Sequence, residues 1–413
     1  MKKFVFIIAI VFTTAHSIDA QWISQTSNVT GKLSDVCFIN ENTGWICGDD
    51  CVLKTTNSGV NWQKINISGS NNSIQFINSE TGYIAGNNGK LYKTINSGVN
   101  WELVNLGITT NLNQIRFFNS SFGIVVGNKA KAFKTTNGGL NWSNISISGD
   151  TLDILDLKIL SENKIIFTGT ESTVWTSINA GVTWSSIWFG MPNPLFAIDF
   201  INENTGMVSG CCGMLMRTTN SGINWTPEVY LTPGFTVHSL KYVTPNKVFI
   251  AAEAGYIFRT SNNGMNWDSL VVPNHNDIHG MHFVNENTGW LVGIWGTILK
   301  TTNGGGTGFP IGINQISSNI PEKFFLSQNY PNPFNPVTKI VFDIPSNVKS
   351  QMSNVKLYVY DINGKLVETL LNQNLSTGTY EITWDASNFP SGIYFYTLNS
   401  DMFSQTKKMI LIK

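Results

Sequence analysis

One feature constrains this chain more than any other: a single eight-residue segment returns at nearly constant spacing. It reads TTNSGVNW at 55–62, TINSGVNW at 94–101, TTNGGLNW at 135–142, SINAGVTW at 177–184, TTNSGINW at 218–225 and TSNNGMNW at 260–267. A degenerate seventh copy, TTNGGGTG at 301–308, has lost its tryptophan. A second motif precedes each copy, clearest as FINENTGW at 38–45, FINENTG at 200–206 and FVNENTGW at 283–290. Its leading residues, Phe38, Phe76, Phe117, Ile159, Phe200, Tyr242 and Phe283, lie 38 to 42 residues apart. Within the first unit four short apolar runs, 36–39, 45–47, 52–55 and 62–65, are separated by turn residues. Four strands in roughly 40–45 residues is the period of a β-propeller blade. A helical solenoid of similar period would show apolar residues about 3.6 apart, and this chain does not.

The lost tryptophan has a replacement. Trp22 lies 40 residues ahead of Trp62, so Trp22, Trp62, Trp101, Trp142, Trp184, Trp225 and Trp267 form a series of seven. Trp22 is therefore expected in the outer strand of the blade whose other strands end near Thr302, closing a ring from both ends and leaving no loose blade edge. The fold class expected is all-β: a seven-bladed β-propeller, then a small antiparallel β-sandwich of immunoglobulin-like type. The expected divisions are a signal peptide at 1–20, the propeller at 21–309, a linker at 310–324 and the sandwich at 325–413.

The segment T/S-x-N-x-G-x-N-W resembles the Asp-box, the repeat of bacterial neuraminidases, with Asn in the Asp position. Physically it is a fold-back: Asn bonds nearby backbone, Gly supplies the positive φ and Trp packs between blades. In families that carry it, the box is structural. The whole 21–309 region also resembles the propellers of the photosystem II assembly factor family, which share the TGW…G…TT-GG-W pattern. That resemblance implies the fold and leaves the role open.

Met1-Lys2-Lys3, an apolar run over 4–11 and a small-residue exit ending at Ala20 read as a secretory signal peptide. The apolar run is shorter than the ~20 residues that cross a bilayer. No later segment reaches that length, so the mature chain is expected to be soluble, without an integral membrane segment. The 26 basic and 26 acidic residues balance, which gives no electrostatic footprint for nucleic acid. Five cysteines are too few for a disulfide-built fold of 413 residues. Cys47 and Cys51 flank a tight turn, which suits either a disulfide in an oxidising compartment or two small packing residues. Cys211 and Cys212 are adjacent; bridging neighbours is strained, so they are expected as free thiols. No cysteine pair has metal-ligand spacing, and no cofactor motif occurs.

Catalytic constellations are equally scarce. A sialidase needs an arginine cluster, but the chain has only Arg116, Arg217 and Arg259. The last two occupy the repeat position held elsewhere by Lys54, Lys93, Lys134 and Lys300, so they read as scaffolding. Asp35, Asp156 and Asp199 are the carboxylates that a glycosidase would have to pair, and nothing in the sequence sets their separation. His275, His279 and His282 cluster near Asp277, but residues 279 and 282 have opposite parity on a strand, so solvated loop histidines are expected there.

Aligning the innermost strands on the leading aromatic gives two series. Val36, Ile74, Ile115, Leu157, Ile198, Leu240 and Met281 are apolar and expected between blades. Cys37, Gln75, Arg116, Lys158, Asp199, Lys241 and His282 are mostly polar and expected to ring the central channel, by period-two alternation. The channel is then either water-filled or a binding site in which Arg116, Lys158, Asp199, Lys241 and His282 face a small anion or a partner's tip. Trp188, Phe189, Tyr230, Phe235 and Trp295 are expected on one loop face, either as a recognition surface or as caps on the blade cores.

Beyond a Gly-rich stretch at 304–306, the runs SQNYPNPFNPVTKI (327–340), VKLYVYDINGKLV (355–367), GTYEITWDAS (378–387), SGIYFYTL (391–398) and KKMILIK (407–413) alternate as strands around an Asn363-Gly364 hairpin turn. These motifs resemble the type A C-terminal sorting domain of the type IX secretion system. The resemblance implies periplasmic transit and export across an outer membrane, to the medium or the cell surface, with the secretion machinery as partner of 325–413. The function expected is an exported binding module for an extracellular protein or glycan. The alternative is a secreted glycan-active hydrolase.

Overall fold

A computed structural model describes residues 22–227, 235–264, 267–270, 272–306, 309–311, 314–317, 320–346, 352–387, 389–400 and 403–413. The signal-peptide segment lies outside them. Among the described residues the strands gather into seven blade sheets and two further sheets. Blade one illustrates the unit: Leu33–Phe38 innermost, then Gly44–Gly48, Cys51–Thr55 and Gln63–Ile65, each antiparallel to the last. Blade seven consists of Ile278–Phe283, Gly289–Gly293 and Ile298–Thr301, completed by Ile23–Ser24 with Ile23 opposite Lys300. Trp22 is 1% exposed and packs edge-on to Phe283 at 6.1 Å. The ring is therefore closed by a strand from the start of the chain.

The two motifs do distinct jobs. In the box, Thr55 Oγ1 donates to Asn57 Oδ1 (3.0 Å) and accepts the Gly59 amide (2.9 Å), while Asn57 Oδ1 accepts the Asn61 amide (2.9 Å). The same Thr/Ser-to-Asn and Gly-to-Thr/Ser bonds recur at 94–98, 135–139, 177–181, 218–222, 260–264 and 301–305. The degenerate seventh box keeps this turn although its tryptophan is gone. In the other motif, Asn40 Oδ1 accepts the amides of Asn42 and Thr43, both at 2.9 Å, which turns the chain so that Gly44 faces the Phe38 ring. A Cβ at Gly44, Gly82, Gly123, Gly206 or Gly289 would stand 2.5–2.7 Å from the facing phenylalanine ring, so only glycine fits.

Blades adhere through stacked rings. Phe38 stacks on Trp290 and Phe76 on Trp45, both at 3.6 Å; Phe117 stacks on Tyr83 and Phe283 on Phe249, both at 4.3 Å. Phe38, Phe76 and Phe117 also meet their own box tryptophans, Trp62, Trp101 and Trp142, edge-on at 5.8–6.1 Å. The basic residue of the third strand reaches the next blade's box turn: Lys93 Nζ to Gly138 O, Lys134 Nζ to Ala180 O and Arg259 Nη1 to Gly304 O, each 2.8 Å. Arg217 bonds Asn263 O in the same way.

One open alternative is resolved and one expectation changes. Cys47 and Cys51 are free and buried, and they lie in different apolar clusters, Cys47 with Trp45 and Ile74, Cys51 with Leu53 and Trp62. The hairpin pairs Cys47 with Val52 and Cys51 with Gly48, which sends the two thiols to opposite faces of the sheet and rules out a bridge between them. The stretch from 309 to 324 also carries strands. Phe309–Ile311 adds to the outer edge of blade six, opposite Trp267–Leu270, and Asn314–Ser317 joins the C-terminal sandwich. An open blade edge offers unpaired backbone groups, and the passing chain takes them up.

The C-terminal residues form two facing antiparallel sheets. One holds Asn314–Ser317, Gly378–Asp385, Val337–Ile344 and Phe325–Leu326; the other holds Leu366–Ser376, Met352–Tyr360, Gly392–Ser400 and Phe403–Leu411. Between them lie Ile340, Phe342, Leu357, Val359, Trp384, Tyr396 and Met409. The expected turn is present: Gly364 has φ 77° and Asp361 Oδ1 accepts the amides of Asn363 and Lys365. No helix among the described residues is long and apolar enough to cross a membrane.

Candidate functional site: the channel and its mouth

Each innermost strand pairs with its own blade along one edge and turns the other toward the axis. Such an edge carries unsatisfied amides. Here the preceding blade's side chains accept them. From the third strand position, Asp35, Ser73 and Asp156 accept the amides of Ile74 (3.1 Å), Ile115 (3.3 Å) and Ile198 (3.0 Å). From the fifth, Cys37, Gln75 and Asp199 accept those of Phe76 (3.4 Å), Phe117 (2.6 Å) and Tyr242 (2.9 Å). Across the closure His282 also hydrogen-bonds the backbone of Phe38, but in a contact that favours the protonated ring, so the imidazole is the donor there.

All five channel candidates, Arg116, Lys158, Asp199, Lys241 and His282, line a cavity of about 710 Å³ on the axis. The apolar series sits between blades, for example Val36 with Trp290 and Ile115 with Tyr83. The charges are matched from within. Arg116 Nη1 donates to Asp35 Oδ2 (3.2 Å) and Ser73 Oγ (3.0 Å), and Asp199 lies between Lys158 and Lys241, the latter at 3.3 Å. Burial pushes the Asp199 carboxyl up, but the two lysines outweigh it and hold it at about 2. Burial drives His282 down to about 3, so it is neutral at pH 7, and it raises Asp156. Sequence reasoning found the fifth position by alternation. It assigned Asp35 and Asp156 no place, although both sit one alternation earlier, on the same side.

The mouth of the channel was not foreseen. Every innermost strand bulges between its first and third residues, seen as a register shift in all seven blades. A bulge resets parity, so the second residue lines the channel beside the third. This corrects the reading of the histidines: His279 and His282 both face the cavity, while His275 is exposed outside it. The second residues run Ser34, Asn72, Asn113, Leu155, Phe196, His238 and His279 around the ring. Three are polar and sit on blades one to three. Asn72 and Asn113 spend their amide donors on Leu112 O and Ile154 O, at 2.8 and 2.7 Å. The other four form an arc of apolar and aromatic groups on blades four to seven. His238 lies 4.4 Å from His279 and 5.6 Å from Phe196, ring to ring. Burial, helped by Lys32 and His238, pushes His279 down to about 3, so the arc is uncharged at neutral pH. Aligning the repeats two columns before the apolar series would have displayed the arc.

The proposed face aromatics differ in exposure. Trp188 is 65% exposed at the end of the outer strand of blade four, and Trp295 is 70% exposed on blade seven. Phe189 instead packs half-buried beside Trp225, at 6.4 Å, because its ring fills the seam between blades. Phe235 is half-buried against Tyr256 at 4.6 Å. Tyr230 lies outside the described residues. Among the described residues no three His, Cys, Asp or Glu side chains are grouped to hold a metal ion.

Comparison with known proteins places this geometry. A search of curated proteins returns no match. Among solved structures, the propeller described as YCF48 bound to D1 peptide is 19% identical with a TM-score of 0.60, over 68% of this chain and 97% of its own. YCF48 from Cyanidioschyzon merolae is 16% identical, TM-score 0.58, over 68% and 98%. The WD40 β-propeller domain of Doa1 is 13% identical, TM-score 0.54, over 67% and 96%. At such identities these structures establish the fold alone. Family profiles go further: residues 328–413 match the secretion system C-terminal sorting domain, and residues 14–107, 96–187 and 151–278 match the photosynthesis system II assembly factor YCF48. The chain is a member of the YCF48 propeller family that carries a secretion sorting domain at its C-terminus.

Proposed function

We propose that this protein is an exported binding module, and that its propeller receives a segment of an extracellular protein at the loop-side mouth of the channel. The sorting domain supplies the export. The observation that carries the binding reading is the division of the mouth into a polar arc of Ser34, Asn72 and Asn113 and an aromatic arc of Phe196, His238 and His279. A peptide segment presents both amide groups and apolar side chains, and a two-sided rim can hold both at once. Arg116, Lys158 and Lys241 already have aspartate partners, which favours a partner's tip over a free anion. One solved relative is described with a peptide bound, which agrees with this choice over a glycan.

The hydrolase alternative needs two carboxylates free to move protons. Asp156 is taken up by Gln114 and by the amides of Leu157 and Ile198; Asp199 by Lys158, Lys241, Phe200 and Tyr242. We read these carboxylates as the fastening of the ring.

The test is a display screen of random peptides on the mature protein, run beside a glycan array. Peptide capture that falls at least tenfold in Phe196→Ala and His238→Ala, with the thermal transition kept, supports the reading. Capture indifferent to both substitutions, or glycan capture alone, would overturn it.

A further inference from the structure

We propose that Cys211 and Cys212 close into a vicinal disulfide after export, which makes the middle turn of blade five a redox-labile modification site. The two Sγ atoms lie 3.0 Å apart. Bonding requires an approach of about 1 Å, to the usual ~2.0 Å. Neighbouring elements hold the turn. The Gly213 amide donates to Phe235 O (2.7 Å) on the next blade, the Met214 amide to Cys211 O (3.1 Å), and the Cys211 amide to Pro194 O (3.1 Å). Cys212 already has the left-handed φ of 60° that this turn demands.

The turn itself does not call for thiols. The same two positions hold Asn87-Asn88, Asn128-Lys129, Thr170-Glu171, Glu253-Ala254 and Ile294-Trp295 in other blades, again with positive φ at the second residue. Nor are these cysteines packing residues. Cys37, Cys47 and Cys51 are buried, whereas Cys212 is exposed and Cys211 half-exposed. Hydrogen bonding to Cys212 raises the Cys211 thiol above its ordinary range, and Cys212 is the more exposed of the two, so an external disulfide meets Cys212 first.

The chemistry balances with an external disulfide as oxidant. The Cys212 thiolate attacks one sulfur of that disulfide, forms a mixed disulfide and expels the first thiol. Cys211 loses its proton to solvent, attacks Cys212 Sγ and expels the second. Two electrons and two protons leave the pair, and the oxidant becomes two thiols. Adjacent Cα atoms are ~3.8 Å apart, closer than the ~4.4–6.8 Å of ordinary bridges, so the resulting ring is easily reduced. An exposed and strained bond belongs to the labile class of disulfides.

Full-length mature protein, reduced and then treated with oxidised glutathione, should lose about 2 Da in intact mass, two hydrogens for one disulfide. The loss should map to the peptide holding residues 211 and 212. Mild thiol reductant should restore two titratable thiols without unfolding, while Cys37, Cys47 and Cys51 stay unreactive until denatured. Cys211→Ser and Cys212→Ser, each left with one thiol at this turn, should instead gain one glutathione. The proposal is overturned if the wild-type protein keeps both thiols, takes up glutathione without the mass loss, or links chain to chain. The wild-type mass alone decides this, even should a variant fail to fold.

Discussion

At the scale of the residue, the channel histidines and Asp199 make separate acid-sensitive contributions. His279 and His282 are held near 3, well below their ordinary value of 6.5. The unfolded chain therefore binds more protons below pH 6.5, and stability falls as pH drops from there toward 3. Asp199 has its pKa lowered from 3.8 to about 2, so its contribution is complete above pH 4 and disappears between about 4 and 2. The double variant His279→Gln, His282→Gln should flatten the denaturant-measured stability between pH 6.5 and 4. Asp199→Asn should leave that slope unchanged but lower stability at pH 7 by about 2 kcal/mol, from a shift of roughly two units. Tight packing gives a further expectation. Gly44→Ala places a methyl 2.5 Å from the Phe38 ring and should cost about 1–3 kcal/mol, read as a lower thermal midpoint. The fifth-position residues were legible because alternation alone brings them to the axis. His279 was not, because a bulge leaves no mark in a sequence until the repeats are aligned and the structure shows which column it shifts.

At the scale of the element, the blade is the unit, and most of it could be read directly. The box asparagines, the facing glycine and the leading ring recur as letters, and each has one physical job. Trp22 was legible for the same reason: spacing placed it in a blade whose own tryptophan was missing. Trp22→Ala should destabilise the propeller by ~3–5 kcal/mol, the usual loss for a buried tryptophan. A smaller shift in the denaturant midpoint than an exposed Val60→Ala control gives would show that the seventh blade does not depend on it. The added strand Phe309–Ile311 was not legible. Phe-Pro-Ile has no counterpart in the repeat, and what recruits it is the open outer edge of blade six, a property of the assembled sheet. The opposite placement of Cys47 and Cys51 likewise depends on hairpin register, which their spacing leaves undetermined.

At the scale of the whole molecule, the propeller and the sandwich each have their own apolar core, and the sorting signal belongs to the second. A chain cut between residues 311 and 314 keeps the fifth strand of blade six and should retain the propeller's thermal transition. In a host with a working type IX system it should no longer reach the medium or the cell surface. The complementary fusion, residues 314–413 on an inert exported passenger, should carry that passenger out. Secretion of the cut propeller at the normal level would assign the sandwich some other role, such as ligand capture.

The closing strand Ile23–Ser24 also makes the ring a check on completeness. Its partner, Ile298–Thr301, is the last strand of the seven repeats to be synthesised, so Trp22 is made long before the strand that places it. A chain that stops anywhere in the preceding blades leaves Trp22 in water and an inner seam unpaired at each end. Such a product resembles an open lock-washer, with two sticky faces for proteases and chaperones to detect. The export address is written after that last strand. Any molecule that carries the address therefore already contains everything needed to close the ring, and incomplete rings have no label with which to leave.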